Sequence, residues 1–139
     1  MAAKIQFEIV SPAGVSNSGE VEQVVLPTTS GEIGVLPMHE PLMTMLEPGE
    51  LAVTNDGKTT YAAIGEGFAQ ITPTRISVLT DMVAGEGEID EEAVAKAVER
   101  AQAALTNAAH LSDEEATSLE AGLKRNLAML GVKRRRRSV

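Results

Sequence analysis

Several residue types are scarce or missing in this 139-residue sequence. It contains no cysteine and only two histidines, which excludes a disulfide framework, a thiol nucleophile and a zinc cluster. Three aromatic residues are too few for a surface that stacks nucleic-acid bases. No stretch approaches the ~20 apolar residues that span a bilayer, and the first eight residues lack a continuous apolar core. We therefore predict a soluble protein without a signal peptide.

Proline and glycine are unevenly distributed along the chain. All six prolines lie at or before Pro73, and ten of the twelve glycines lie at or before Gly87. From Ile89 onward there is no proline and no aromatic residue, and alanine dominates. This change predicts two structural parts, residues 1–87 and residues 88–139, which meet at a hinge rich in glycine and glutamate.

The first part has the pattern of many short β-strands. Residues 5–9 alternate between apolar and polar types, which is the period of a half-buried strand. Asp56-Gly57 between two apolar runs predicts a hairpin. Further apolar runs lie at residues 21–26, 33–36, 42–46, 51–53, 61–64, 68–71 and 76–79. Strands of this length and spacing predict a β-sandwich or barrel.

The second part predicts two helices. Asp90 is the candidate N-cap of the first helix, and Ser112 with Glu115 is a candidate capping box for the second. Gly131 is the candidate end of the second helix. Apolar residues recur at steps of three and four in both helices, at Val94, Val98, Ala101, Leu105 and Ala108 and then at Ala116, Leu119, Leu123, Leu127 and Leu130.

These two stripes predict an antiparallel helical hairpin with a thin seam. Eight of the nineteen residues from 91 to 109 are alanine, whose methyl group buries little area. A large buried side chain, by contrast, is worth roughly 1.5–3 kcal/mol. The hairpin either can leave the sandwich at a cost of about a few kcal/mol or is a fixed cover of one sandwich face. Composition favours neither alternative.

The sequence holds no recognisable catalytic or metal-binding constellation. The acidic run at residues 113–115 lies in the first turn of a helix, where capping explains it. His39 lies in a proline-rich turn and His110 between the helices, and neither has a serine–acid pair or second metal ligand nearby. The glycine segments 31–34 and 65–67 lack the context of a phosphate loop. We predict no catalytic residue, no metal and no cofactor.

Charge is divided unequally along the chain. Residues 1–85 carry 3 basic and 10 acidic groups, residues 86–132 carry 4 and 10, and residues 133–139 carry +5. The acidic body would repel the phosphates of a nucleic acid. We therefore predict no nucleic-acid partner and assign the basic tail to an acidic protein surface or to the chain's own body.

Several segments carry a family likeness. Residues 31–42 (GEIGVLPMHEPL) and 46–49 (LEPG) resemble the signature of the epsilon subunit of bacterial and chloroplast F-type ATP synthases. Residues 65–71 (GEGFAQI) and 76–81 (ISVLTD) match the later strand pair of that family. Ile89-Asp90 then opens an alanine-rich hairpin, as in the family. The likeness covers roughly residues 3–132, in order.

The resemblance implies a ten-stranded β-sandwich followed by a two-helix C-terminal domain. It implies a non-catalytic subunit of a proton-translocating ATP synthase, located in the central rotor stalk, bound to gamma and resting on the c-ring. Such a subunit couples ring rotation to catalysis in the alpha/beta assembly, and it restrains ATP hydrolysis when its helices extend along gamma. The implied location is peripheral, on the cytoplasmic face of a bacterial plasma membrane or the stromal face of a thylakoid membrane.

The resemblance also points to particular residues. The candidate contacts with gamma and the c-ring are Glu32, Met38, His39 and Leu42. In the family, basic residues of the helices face an acidic loop of the beta subunits. The candidate switch cations here are Arg100, Lys124, Arg125, Lys133, Arg134, Arg135, Arg136 and Arg137. We expect residues 133–137 to strengthen the inhibitory extended state, so deleting residues 133–139 should raise ATP hydrolysis at low salt.

One departure concerns nucleotide binding. Some family members bind ATP through Ile-Asp-x-x-Arg-Ala, whereas this sequence has Ile89 and Asp90 but Ala93 and Val94 in the last two positions. A hydrogen bond to a charged group is worth about 1.5–3 kcal/mol, so nucleotide binding should be roughly ten- to hundred-fold weaker. Arg100 matches another nucleotide-contacting arginine of the family, which leaves residual binding open. The alternative functions are a stand-alone ATP sensor and an unrelated sandwich-plus-helix adaptor.

Overall fold

A computed structural model describes residues 3–107 and 111–135. Ten strands are followed by a single 3-10 turn at Glu86–Glu88 and by two helices. This order confirms the predicted fold class, a β-sandwich followed by a two-helix hairpin. The elements are β1 (Ile5–Ser11), β2 (Gly14–Val21), β3 (Gln23–Thr28), β4 (Gly31–Val35), β5 (Leu42–Leu46), β6 (Gly49–Asn55), β7 (Lys58–Ile64), β8 (Gly67–Ile71), β9 (Arg75–Thr80), β10 (Val83–Gly85), α1 (Glu91–Thr106) and α2 (Asp113–Arg135).

The strands follow one hydrogen-bonded path that folds back on itself. The order is β10-β7-β6-β3-β5-β8-β9-β1-β2, with β4 paired to β3. We call β10, β7, β6, β3 and β4 the first sheet and the remaining five strands the second sheet. The two sheets are linked where Thr28 of β3 pairs with Leu46 of β5. Strand β1 lies between β2 and β9, and its pairing with β9 is parallel.

The sandwich core lies between the two sheets. Because side chains alternate along a strand, each sheet presents one face inward and the other outward. The inward side chains of both sheets are almost all fully buried, and they are Ile5, Phe7, Ile9, Val21, Val24, Leu26, Val35, Leu46, Leu51, Ile64, Ala69, Ile71, Ile76 and Val78.

Local sequence signals fix the β6–β7 hairpin. Asp56 and Gly57 have φ values of 52° and 76°, the two positive angles that a type I′ turn requires. The hairpin predicted from this dipeptide is therefore confirmed, with Asn55 paired to Lys58.

The apolar run at residues 21–26 forms two strand segments instead of one. Strand β2 ends at Val21, and β3 begins at Gln23. The backbone N–H of Glu22 donates to the Thr54 carbonyl at 3.0 Å, which holds the break against β6. Strands β2 and β10 escaped prediction because β2 is largely polar and β10 is only three residues long.

Both predicted helix starts are confirmed. The Asp90 carboxylate accepts a hydrogen bond from the Ala93 N–H at 3.2 Å at the start of α1. The Ser112 hydroxyl accepts from the Glu115 N–H at 3.1 Å at the start of α2. These bonds satisfy N–H groups that a helix leaves without an internal partner. Residue Ala108 of the predicted stripe and the connection around His110 lie outside the described residues.

The second helix differs from the prediction in two respects. Gly131 does not end it, because α2 continues to Arg135. Leu127, predicted to be in the seam, is 46% exposed; Leu130 of the predicted stripe is buried, together with Ala128 and Val132, which were not predicted. The difference arises because α2 packs on two neighbours, α1 and the first sheet, so its buried face is displaced from a simple two-helix stripe.

The contact between the hairpin and the sandwich combines small and larger apolar side chains. Helix α2 lies against the outer side of β6 and β7, and α1 packs on α2. The buried members of this second cluster are Ala63, Ile89, Val94, Val98, Ala128, Leu130 and Val132. The sandwich contributes one alanine to the buried cluster, supported by the partly buried Tyr61, Met82 and Ala84, whereas the hairpin contributes larger side chains such as Leu130 and Val132.

Candidate functional site

The outer face of the second sheet carries a continuous line of apolar side chains, which we call the apolar row. Strand register places one member on each of five neighbouring strands. In order across β5, β8, β9, β1 and β2, these residues are Met45, Phe68, Leu79, Val10 and Val15. Side chains alternate along a strand, and paired residues on neighbouring strands share a face. Because the row residues alternate with buried core residues and pair with one another, the row points away from the core.

The two ends of the apolar row are strongly exposed. The exposed fraction is 60% for Met45 and 63% for Val15, and Met43 beside the row is also 63% exposed. Contiguous exposed apolar side chains of this kind mark interaction sites. The row was not predicted from the sequence. One signal was present: residues 42–46 are apolar at four of five positions, as expected of a strand whose outer face is buried by a partner.

A polar border runs beside the apolar row. Arg75 pairs with Glu8 at 2.7 Å, and the Ser77 hydroxyl donates to the same carboxylate at 3.1 Å. The Arg75 hydrogen bond, helped by that of Ser77, holds the pKa of the Glu8 carboxyl below its ordinary value. An apolar centre with a charged and hydrogen-bonding rim is the arrangement of a protein–protein interface.

Three of the four predicted partner contacts lie near one another at one end of β5. Leu42 pairs with Ile71, and the Met38 N–H donates to the Pro73 carbonyl at 2.8 Å, so both lie beside the β8–β9 turn. Met38 has a φ of 68° and is 76% exposed. His39 follows, with its ring Nδ1 2.7 Å from the Glu40 carbonyl oxygen.

Glu32 lies at the opposite end of β5. It pairs with Pro27 of β3, whose carbonyl accepts from the Glu47 N–H at 3.2 Å, just beyond the last residue of β5. The structure therefore places Glu32 and Leu42 at different ends of the sandwich, so the four predicted contacts form two separate places.

The hairpin covers β6 and β7 of the first sheet, and the basic end of α2 makes ion pairs with the 3-10 turn, with α1 and with β6. Lys133 lies 3.3 Å from Glu86, Arg134 lies 3.2 Å from Glu91, and Arg135 lies 2.5 Å from Glu50. These residues form the last turn of a helix, not a free tail. The sequence suggested two targets for the basic tail, an acidic protein surface or the chain's own body. In the structure, Lys133, Arg134 and Arg135 pair with acidic residues of the chain itself.

The other predicted switch cations have varied environments. Arg125 lies 3.6 Å from Asp81 in the β9–β10 connection, whereas Arg100 and Lys124 are exposed. The guanidinium of Arg135 also lies 4.5 Å from the centre of the Tyr61 ring. Its hydrogen bond to Glu50 raises the pKa of Arg135 above its ordinary value. Arg136 and Arg137 lie outside the described residues.

The candidate nucleotide-binding residues are not brought together. Ile89 is buried, and the Asp90 carboxylate is engaged as the cap of α1. Arg100 lies ten residues beyond Asp90, which is about 15 Å along a helix at 1.5 Å per residue. These three residues therefore do not form one contiguous nucleotide-binding surface.

Two features are absent from residues 3–107 and 111–135, the part of the chain that the structure describes. No three His, Asp or Glu side chains in these ranges are grouped so that they would hold a metal ion. Neither helix in the same ranges has the length and apolar character needed to cross a bilayer.

Comparisons with known proteins match most of the chain. The family described as ATP synthase, Delta/Epsilon chain, beta-sandwich domain, matches residues 4–85. The ATP synthase epsilon chain of Herpetosiphon aurantiacus is 37% identical over 134 residues, covering 96% of this chain and 97% of the relative. That of Chloroflexus aggregans is 38% identical over 128 residues, covering 92% and 91%.

Solved structures resemble the whole architecture. A chain in the cryo-EM structure of the Euglena gracilis mitochondrial ATP synthase (OSCP/F1/c-ring, rotational state 1) has a TM-score of 0.79 at 26% identity. The match covers 93% of this chain and 81% of that one. A chain of the Tetrahymena thermophila mitochondrial ATP synthase central stalk/c-ring shares the fold, with a TM-score of 0.59 at 7% identity. On the family match and these relatives, the chain belongs to the epsilon-subunit family of F-type ATP synthases.

Proposed function

We propose that the protein is a non-catalytic central-stalk subunit that couples rotation of the c-ring to ATP synthesis through the gamma subunit. The observation that carries this proposal is the different state of the two sheets. The chain's own hairpin packs on β6 and β7 of the first sheet, whereas the second sheet presents the exposed apolar row. A rotor subunit needs a rigid body with one face available to its neighbour, and it needs no nucleophile or metal of its own.

The apolar row is the proposed contact with gamma. Its central residues Phe68, Leu79 and Val10 are partly buried already, while the ends are open. A partner that covers the row gains apolar burial, and the Glu8–Arg75 pair at its border orients that partner. We propose Met38, His39 and Leu42 as contacts that extend this surface at one end of the sandwich. Glu32, at the other end, is a proposed contact with the c-ring or gamma.

The helical hairpin is the proposed regulatory part. We assign the fixed body to residues 1–87 and the movable part to residues 88–139, which restrains ATP hydrolysis in the extended position. Support comes from the sandwich side of the interface, whose buried member is Ala63 and whose other members, Tyr61, Met82 and Ala84, are only partly buried. Burying alanine contributes much less than burying leucine, so the sandwich side adds little to the cost of separating the hairpin. The proposed switch cations are those of α1 and α2, with Arg100 and Lys124 exposed in the packed hairpin.

The proposed location follows from membership of the complex. The subunit lies peripherally on the cytoplasmic face of a bacterial plasma membrane, or on the stromal face of a thylakoid membrane, and reaches the bilayer through the c-ring. Its partners are gamma, the c-ring and the alpha/beta assembly. The proposal names no cofactor, and it includes no nucleic acid because the net charge of −8 opposes binding to a phosphate backbone.

The test is reconstitution of an epsilon-depleted ATP synthase in vesicles. Three preparations are compared: without the chain, with the full chain and with a chain lacking residues 88–139. ATP-driven proton pumping and ATP hydrolysis are measured in each. We expect both forms of the chain to restore coupled pumping and the full chain alone to restrain hydrolysis. Equal hydrolysis with the two forms would remove the regulatory role, and failure of both to restore pumping would remove the rotor role.

A further inference from the structure

We propose that the last turn of α2 is a charge clamp that holds the helical hairpin on the first sheet. The charge clamp consists of Lys133, Arg134 and Arg135 together with their acidic partners Glu86, Glu91 and Glu50. It rests on the proposed movable hairpin and gives that movement a specific lock. The lock is ionic, whereas the rest of the contact is made by apolar side chains.

Helix geometry makes three consecutive cations an effective tether. Successive residues of an α-helix point about 100° apart, so three in a row spread around most of the helix. Each cation meets a carboxylate on a different element: Lys133 the 3-10 turn, Arg134 helix α1 and Arg135 strand β6. One turn of α2 is thereby tied to the hinge, to its partner helix and to the sandwich at the same time.

The pair between Arg135 and Glu50 is the most elaborate part of the clamp. Arg135 donates through Nε at 3.2 Å and through a terminal nitrogen at 2.5 Å, so the two groups meet in a two-pronged arrangement. Its guanidinium also lies over the ring of Tyr61 on β7. Bidentate and ring-stacked contacts of this kind are specific to arginine.

Gly131 makes room for this pair. It lies one helical turn before Arg135, on the same side of α2. A β-carbon at this position would lie 3.2 Å from the carboxylate carbon and from one oxygen of Glu50. The glycine that resembles a helix stop in the sequence therefore allows the Glu50 carboxylate to approach the helix surface.

The clamp is accessible enough to be opened by its surroundings. The side chains of Lys133 and Glu86 are 29% and 27% exposed, and those of Arg135 and Glu50 are 46% and 24% exposed. Ion pairs at such positions are screened by salt. They can also be exchanged for another acidic surface that offers equivalent carboxylates. Release of the hairpin should therefore respond to ionic strength and to an acidic protein partner.

Breaking the two pairs that cross to the hinge and the sandwich tests the clamp. The variant Lys133→Gln/Arg135→Gln is compared with the charge-matched control Lys58→Gln/Lys96→Gln, whose residues are both exposed and lie outside the clamp. Amide hydrogen exchange is measured on the full-length isolated chain, with β1 and β9 as the internal reference for the folded sandwich.

We expect exchange in residues 121–135 to be roughly 2- to 30-fold faster in the clamp variant, because two exposed pairs are removed. The control should exchange like the wild type. At about 1 M salt, where the screening length is roughly 3 Å, the wild type should approach the clamp variant. Equal exchange in the variant, the control and the wild type would overturn the proposal.

A charge exchange separates the ion pair from helix propensity. Arg135→Glu alone should loosen α2, and Arg135→Glu combined with Glu50→Arg should restore much of its protection. Failure of the double variant to exchange more slowly than the single one would also overturn the clamp. These results are distinct from the reconstitution assay, since a hairpin without an ionic lock would still restrain hydrolysis through its extended form.

Discussion

Replacing Met45 with serine should weaken the binding of gamma by about 5- to 30-fold. Full burial of a methionine side chain is worth about 1.5–3 kcal/mol. Met45 is 60% exposed, so a partner that covers it gains about 1–2 kcal/mol from the part still open to water. Serine removes most of this gain. Because the side chain points away from the core, the stability of the sandwich should change little.

The assay is calorimetric titration of purified gamma into the full-length chain. Thr60→Ser is the control, because Thr60 is exposed on β7 of the first sheet, away from the second sheet and from the movable hairpin. We expect the control to bind like the wild type, and thermal unfolding verifies that both variants are folded. A dissociation constant for Met45→Ser equal to that of the control would show that the apolar row is not the gamma contact.

Three other perturbations test the fold and the candidate sites. Leu130→Ala leaves a cavity in the hairpin interface and should cost about 2–5 kcal/mol of local stability, seen as faster amide exchange in α1 and α2 with unchanged exchange in the sandwich core. The pKa of Glu8 is lower in the folded chain than in the unfolded chain, so its ionised carboxylate stabilises the fold above the unfolded pKa. This stabilisation is lost as pH falls through the folded pKa. Glu8→Gln should therefore show a smaller acid-induced drop in melting temperature than the wild type. Titration of the isolated chain with ATP should give no tight, saturable binding, since Ala93 replaces the arginine of the family motif. A clear saturating isotherm would contradict the predicted weak nucleotide binding.

The charge clamp bears on the expectation for the C-terminal deletion. Sequence reasoning assigned residues 133–137 to the extended state, in which their loss raises ATP hydrolysis. In the structure, Lys133, Arg134 and Arg135 are engaged in the packed state. Their removal is therefore expected to weaken the packed state as well as the proposed extended state, and the direction of the change in hydrolysis reports which state depends on them more.

The sequence predicted features that depend on neighbouring residues. The turn at Asp56-Gly57 and the caps at Asp90 and Ser112 are set by short-range geometry, so each was found at its expected position. The change from strands to helices followed from proline, glycine and alanine content. These signals require no knowledge of which strands pair.

The apolar row and the charge clamp required the tertiary structure. The row joins residues 45, 68, 79, 10 and 15, which become neighbours only through strand register. Residue Glu50 precedes its partner Arg135 by 85 positions, so no local pattern links them. The exposure of Leu127 has the same origin, because the packing of α2 on two neighbours is not encoded in its own periodicity.

The parallel pairing of β1 with β9 has a consequence for how the protein is made. Strand β1 starts at Ile5, and the strand that completes its place in the second sheet starts at Arg75. On the ribosome, the first strand must therefore wait until most of the sandwich has been synthesised before that sheet can close. Long-range pairing of this type slows folding. Until then one edge of β1 lacks its hydrogen-bonding partner. Newly made chains are therefore expected to be prone to aggregation and to depend on chaperones.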